Sequence, residues 1–562
     1  MPTTLAVNGG AALADQTPMS VQDALWLTMD RPTNLMVVDG AMVLSRAPLL
    51  RDLRTVFRTA TRRFPVLTRR AVHTESGWEW QDDPHFELNR HVTKVRLDAP
   101  GDLAALQRFV ALQRSTPLPP EHPLWRAFLV APVLLDDGSR GAAVVTGFHH
   151  SIADGVRLTQ VMLSLCETDE PTVSAAPAAN RRPESEDGAD AGNLASDLLH
   201  ATTTGISATA RVARSTTQAL GRGAATAARE VAWSAAGGVA DAVSAVVGAV
   251  SDPLGVLSQA PGAVVAAPGE VASVVIGAAR SGAGEVAGGI EHGLELIRHP
   301  DRLLDALELL GVEESRAVND VSSVTKLLLT GGVDTVWTGS PGIAKAIAWS
   351  APIDLEQIKA VGRARQATLN DVLLAAIAGG LRRYLERHDG RADEVIWMVP
   401  VNLKPFEQNL PPDLGNYFAL VFLPMPLGTL DPVARLREIQ HRMDRIKHSD
   451  EAVLTFGLQH LVSTSPARLA FVLTNYFANK AIGVLTNVPG PRGPMTCAGA
   501  PVIQVVGFAP CSGDQPMTAT IFSYNGSVTV GFATDAHLVP DPDVLSALVV
   551  QELTEMSGRT LG

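Results

Sequence analysis

Apolar positions in the first part of the chain recur at helical spacing and then fall into short continuous runs. Within residues 49–63, Leu53, Val56, Phe57 and Ala60 lie three or four apart, which predicts a helix with one buried stripe. Residues 125–134 and 141–148 are short and largely apolar, the pattern of strands covered on both faces. Residues 156–166 then place Leu158, Val161, Met162 and Leu165 on one helical stripe. The same mixture returns late in the chain. It predicts helices over 368–384, 432–446 and 466–479, strands over 394–402 and 416–427, a hairpin at Tyr524-Asn525-Gly526-Ser527, and a last helix from Asp543. Strands and helices mixed in both regions predict an α/β fold in two domains.

Between these regions the pattern changes. Residues 171–190 are rich in proline and acid and cannot bury enough apolar surface to order themselves. Residues 194–332 are dominated by Ala, Gly, Val and Ser. Val231, Ala235, Val239, Val243, Val246 and Val250 make a weak amphipathic helix, which Pro253, Pro261 and Pro268 interrupt. Helical periodicity resumes over 294–310. Two readings fit this stretch: loose helices packed on the rest of the protein or partly disordered, or a face resting on lipid. The expected division is an N-terminal domain at 1–168, a linker and insertion at 169–343, and a C-terminal domain at 344–562.

Composition narrows the function. A hydrophobic content of 46% over 562 residues supports more than one core. The net charge of −12 disfavours nucleic acid as the main partner, because phosphate contacts need clustered Lys and Arg. Cys166, Cys497 and Cys511 are too few and too scattered for a disulfide framework, which fits a reducing compartment. No signal peptide is read at the start, and no apolar run reaches the ~18 residues of a spanning helix. A cytoplasmic chain, at most peripheral on a membrane or on lipid droplets, is the expectation.

The chemistry concentrates in His149-His150-Ser151-Ile152-Ala153-Asp154-Gly155. The histidines end a predicted strand and Asp154-Gly155 opens a predicted helix, a junction where working groups commonly sit. A neutral imidazole there can take a proton from an alcohol attacking a carbonyl. Asp154 must cap the helix, bond the loop or pair with an arginine, and any of these holds His150 in place. Competing readings are a zinc site, two structural histidines, or a Ser151 nucleophile. Neighbouring strand residues point to opposite faces, no third His or Cys is near, and Ser151 has no Gly-x-Ser-x-Gly elbow, so no metal and no serine chemistry are expected.

This segment resembles the His-His-x-x-x-Asp-Gly signature of the CoA-dependent acyltransferase superfamily. Further blocks resemble its bacterial wax ester synthase/diacylglycerol acyltransferase branch. They are Met19-Ser20 to Asp23, Pro32-Thr33-Asn34, Pro123-Leu124-Trp125, Thr368-Leu369-Asn370-Asp371, Leu414-Gly415-Asn416 and Thr486-Asn487-Val488-Pro489-Gly490-Pro491. The resemblance covers about residues 19–168 and 344–543; the joining segment is longer and richer in Ala and Gly than the family's usual linker. It implies two chloramphenicol-acetyltransferase-like domains facing across a tunnel, with His150 at the midpoint as general base. His149 and Asp154 join it as catalytic-site residues, Asp154 mainly structural. Gly155, Asn370 and Asp371 would shape the site, and Thr486 and Asn487 are the suggested oxyanion donors. Pro123-Leu124-Trp125 is read as packing.

The activity this implies is transfer of a fatty acyl group from acyl-CoA to diacylglycerol or a long-chain alcohol, giving triacylglycerol or wax ester without a covalent intermediate. Acyl-CoA is a substrate, and no cofactor is required. Two rivals remain: a condensation-like enzyme taking carrier-bound acyl groups, and a non-catalytic lipid-surface protein built around residues 194–332.

Overall fold

The computed structural model describes residues 16–75, 77–168, 334–402, 410–412, 414–416, 418–447, 474–475 and 477–561. The Ala/Gly/Val-rich stretch at 194–332, and most of the helix expected over 466–479, lie outside the described residues.

Leu50–Arg63 is a helix that buries Leu53, Phe57 and Ala60, with Arg51, Arg58, Arg62 and Arg63 exposed and Arg54 donating to the Val92 carbonyl (3.0 Å). Each fully buried Leu or Phe stabilises the fold by about 1.5–3 kcal/mol. Trp125–Leu134 pairs antiparallel with Arg140–His149. In the latter strand every residue from Gly141 onward is buried, because the sheet is covered on both faces. Ala142, Val144 and Phe148 join one apolar cluster while Ala143 and Val145 join another, the alternation of a pleated strand. Trp125 stacks on Phe57, His91 and Phe148 and donates its indole N–H to the Leu67 carbonyl (2.8 Å), a packing role.

The first seven-stranded sheet runs Val92–Val95, Trp125–Leu134, Arg140–His149, Val37–Leu44, Ala500–Phe508, Met495–Cys497, Cys166–Thr168. Two of its strands come from the far end of the chain. Ala500–Phe508 pairs antiparallel with Val37–Leu44, so the N-terminal sheet is completed by the C-terminal half. The sequence division at residue 344 therefore does not coincide with the division between sheets. The pattern reading also omitted Val37–Leu44, the helix Leu103–Arg114 and the hairpin Arg69–Thr74/Gly77–Asp82.

The second seven-stranded sheet runs Ile353–Asp354, Ser527–Asp535, Met517–Tyr524, Gly483–Pro489, Glu394–Asn402, Phe418–Pro426, with Lys345–Trp349 also on Ser527–Asp535. The expected hairpin is present. Asn525 and Gly526 have φ of 44° and 76°, the left-handed pair that matches the twist of a two-residue turn. Helices Leu369–Arg387 and Pro542–Leu561 pack closely in this half. A Cβ on Gly380 would stand 2.6 Å from the Val549 side chain, so only glycine allows the approach. Between these helices and Pro432–Lys447, Glu552 is bound by Arg383 and Arg435 with Arg382 at 3.6 Å, and both Glu552 and Arg435 are 0% exposed.

Buried polar contacts join the halves. Arg114 pairs with Asp39 (2.9 Å) and also donates to the Ala509 carbonyl (2.6 Å). Asn34 donates to the Gly513 carbonyl (2.9 Å). Among the described residues, no helix is long and apolar enough to cross a membrane.

Candidate active site

His149 is the last residue of its strand, paired with Val37, and the His150 amide continues the ladder by donating to the Met36 carbonyl (2.7 Å). Alternation sends the two rings to different surroundings. His149 turns inward, where the Ser151 amide donates to its Nδ1 (3.1 Å) and Ser151 Oγ lies 2.8 Å from the same atom. Nδ1 is thus an acceptor, the neutral ring carries its proton on Nε2, and Nε2 stands 3.9 Å from Asp30. Burial, with His150 adding to it, drives the His149 pKa down to about 3. A ring already protonated on Nε2 and occupied on Nδ1 has no lone pair to offer a substrate.

His150 faces the junction of the halves. Its ring stacks on Trp26 with centroids 4.0 Å apart and lies 5.6 Å from Phe418, which opens a strand of the second sheet. The side chain is buried at 6% exposure, and burial lowers its pKa to about 4, opposed in part by its own backbone and by Asn416. At neutral pH it is an uncharged imidazole, and its Nδ1 makes no hydrogen bond among the described residues. It can accept a proton.

Asp154 caps the helix Gly155–Ser164, accepting from the Arg157 amide (2.8 Å), and its other oxygen lies 4.0 Å from the Arg157 guanidinium. Its amide donates to the Gly415 carbonyl (3.3 Å), and Ala153 and Gly415 form a parallel bridge. The motif is therefore laced to a segment of the opposite half. A Cβ on Gly155 would meet nothing within 4 Å, so packing does not demand glycine there; the position borders open space.

The wax ester synthase/diacylglycerol acyltransferase catalytic domain matches residues 19–280, and the C-terminal domain of the same family matches residues 414–557. The chain belongs to the wax ester synthase/diacylglycerol acyltransferase family. A Mycobacterium tuberculosis relative, provisionally named a diacylglycerol O-acyltransferase, is 26% identical over 213 residues, or 37% of this chain and 45% of its own. The O-acyltransferase WSD of Acinetobacter baylyi is 26% identical over 219 residues, 36% of this chain and 45% of its own. The chain thus spans under half the length of each of these two relatives. The wax ester synthase/diacylglycerol acyltransferase of Marinobacter aquaeolei superposes with a TM-score of 0.57 at 17% identity, over 97% of this chain and all of the other, which shows the shared fold.

The remaining residues of the family blocks form a second group. Asn487 donates to Asn370 (2.9 Å), and Thr486 donates to Thr520 (3.2 Å). Val488, beside Asn487, packs against the same apolar cluster that holds Ile152 and Ala153 of the 149–155 segment. Asp371 belongs to its own helix: it completes a capping box with Thr368, accepting from the Thr368 amide (2.9 Å), and is 1% exposed. Asp371→Ala is expected to lower stability by about 0.5–2 kcal/mol through the lost cap, read as a denaturation-midpoint shift. An unchanged midpoint would remove the capping role. No group of three metal-ligating side chains occurs among the described residues.

The sequence reading missed Trp26, Asp30 and Phe418. It quoted Asn416 only as part of a block, yet Asn416 touches the motif directly. A cavity of about 720 Å³ lined by Gln107, Trp349, Ile353 and Val550 lies elsewhere, and His150 does not line it.

Proposed function

We propose that the protein moves a fatty acyl group from acyl-CoA to a hydrophobic alcohol, either diacylglycerol or a long-chain alcohol, with His150 as general base. The observation that carries this reading is a neutral imidazole held at the junction of two α/β halves, with its neighbour His149 spent on Ser151. The acceptor O–H loses its proton to His150 as its oxygen bonds to the thioester carbon. The tetrahedral species collapses by breaking the C–S bond, and the imidazolium returns the proton to the departing sulfur. No bond to the enzyme forms.

His149 and Asp154 act as positioning residues in this scheme. Gly155 leaves room beside the helix start for substrate, and the two reactants enter a tunnel between the halves from opposite ends. Asn370, Thr486 and Asn487 are proposed to shape its far wall. A peripheral association with membrane or lipid droplets would bring the oily acceptor within reach.

Purified protein is expected to release free CoA from palmitoyl-CoA only when dioleoylglycerol or hexadecanol is also present, with the matching ester as product. CoA release that ignores the acceptor, or ester formed faster from acyl-carrier protein, would overturn the assignment.

A further inference from the structure

Asn416 lies 266 residues beyond His150 in sequence, just before the strand Phe418–Pro426, yet it is 5% exposed inside the motif. Both protons of its amide nitrogen are used. One goes to the His150 carbonyl (2.9 Å) and the other to Asp23 Oδ1 (2.7 Å). Asp23 stands on the helix Val21–Met29, which also supplies the Trp26 ring stacked on His150. The neighbouring residues Gly415 and Phe418 hold Asp154 and approach the imidazole respectively. The carboxamide oxygen Oδ1 is buried and has no hydrogen bond among the described residues.

Resting on the functional reading above, we propose that Asn416 is a positioning residue: its carboxamide, supplied by the opposite half, orients His150 and steadies the imidazolium formed when the ring takes the acceptor's proton. A buried carbonyl oxygen without a hydrogen bond among the described residues is placed to meet a charge that appears only during the reaction. The direction of its influence agrees, since Asn416 opposes the lowering of the His150 pKa by burial. The charged or titratable groups on the elements that meet here are Asp23 on the first helix (bonded to Asn416), Asp154 and Arg157 where the following helix starts, and His149 backed by Asp30. Docking of the halves and competence of the base thereby become one event.

The test uses Asn416→Ala and the exchange Asp23→Asn/Asn416→Asp, which keeps a carboxylate–amide pair but removes the donor to the His150 carbonyl. Two quantities are read: kcat and KM for acyl transfer, and the His150 titration by NMR of ¹³C-histidine-labelled protein, assigned from the signal lost in His150→Gln. Asn416→Ala is expected to lower kcat roughly 10–100-fold with KM held within about threefold, as a displaced base would. Its His150 titration moves further down. In the exchange a carboxylate beside the ring raises the titration, and with it the acid limb of kcat/KM, by about one unit or more. If the exchange does not fold, the alanine variant decides alone through the kcat split and the downward titration. A folded variant with wild-type kcat and an unmoved His150 titration overturns the proposal. If wild-type protein transfers no acyl group while the titration still moves, the positioning role stands and the acyltransfer reading falls.

Discussion

His150→Ala is expected to lower acyl transfer by about 10²–10⁴-fold, the usual worth of a positioned general base. On the proposed mechanism the loss belongs in kcat, because the imidazole would act on a proton that moves during bond formation. His149→Ala serves as the comparison. Its ring is occupied by Ser151, so a smaller loss through displacement of His150 is expected. Turnover in His150→Ala within a fewfold of wild type would remove the base from the mechanism. The depressed pKa adds a pH signature with a definite sign. Above pH 6.5 the ring is neutral folded or unfolded and contributes nothing to stability. Below it the unfolded chain takes the proton first, so stability falls as pH drops from 6.5 towards about 4, by on the order of 3 kcal/mol for this group. Turnover should persist to more acid pH than a free histidine allows, and its acid limb should lie near 4 unless the fold fails first.

Glu552→Ala is expected to be the most destabilising single change outside the site. Arg435 has no exposure, and its guanidinium also donates to the carbonyls of Ala375 (3.0 Å) and Thr429 (2.9 Å), so it cannot swing to water when its carboxylate is removed. Burial already pulls the Arg435 pKa down, and Glu552 is the main influence holding it up. Stranding such a charge costs about 3–5 kcal/mol, a large part of the roughly 5–15 kcal/mol that holds a domain together. Urea denaturation should show the midpoint falling sharply or the protein accumulating insoluble. Replacing both partners, Arg435→Met with Glu552→Leu, should recover most of the loss, since the fully buried guanidinium leaves with its carboxylate while Arg382 and Arg383 keep Glu386 and Glu555. A midpoint for Glu552→Ala within 1 kcal/mol of wild type would show that the cluster is not holding these helices.

What the sequence made legible was local. The strand ending at His149, the cap at Asp154, the helix at Leu369–Arg387 and the turn at Asn525-Gly526 each depend on residues a few positions apart, where periodicity and turn chemistry act. The architecture of the site is not local. Asp23 and Asn416 are 393 residues apart, and nothing in the spacing around either announces the other. Trp26 falls in no element the pattern predicts, and Phe418 lies within the strand expected over 416–427; that both rings flank one imidazole emerges only when the halves meet. Asp371, read from its block as site-shaping, has one carboxylate oxygen accepting from the start of its own helix, while the other is buried without a hydrogen bond among the described residues.

The strand Ala500–Phe508 has a consequence for how the chain is made. During synthesis, Val37–Leu44 leaves the ribosome early with one edge unpaired, and its partner follows only after everything between Leu44 and Ala500 has been translated. At about 5–20 residues per second that is a wait of roughly 20–90 s with an open strand edge, a template for association with other nascent chains. The N-terminal half expressed alone would keep that edge permanently. Chaperone shielding during translation, and co-expression of the halves rather than either fragment singly, are what this interleaved topology calls for.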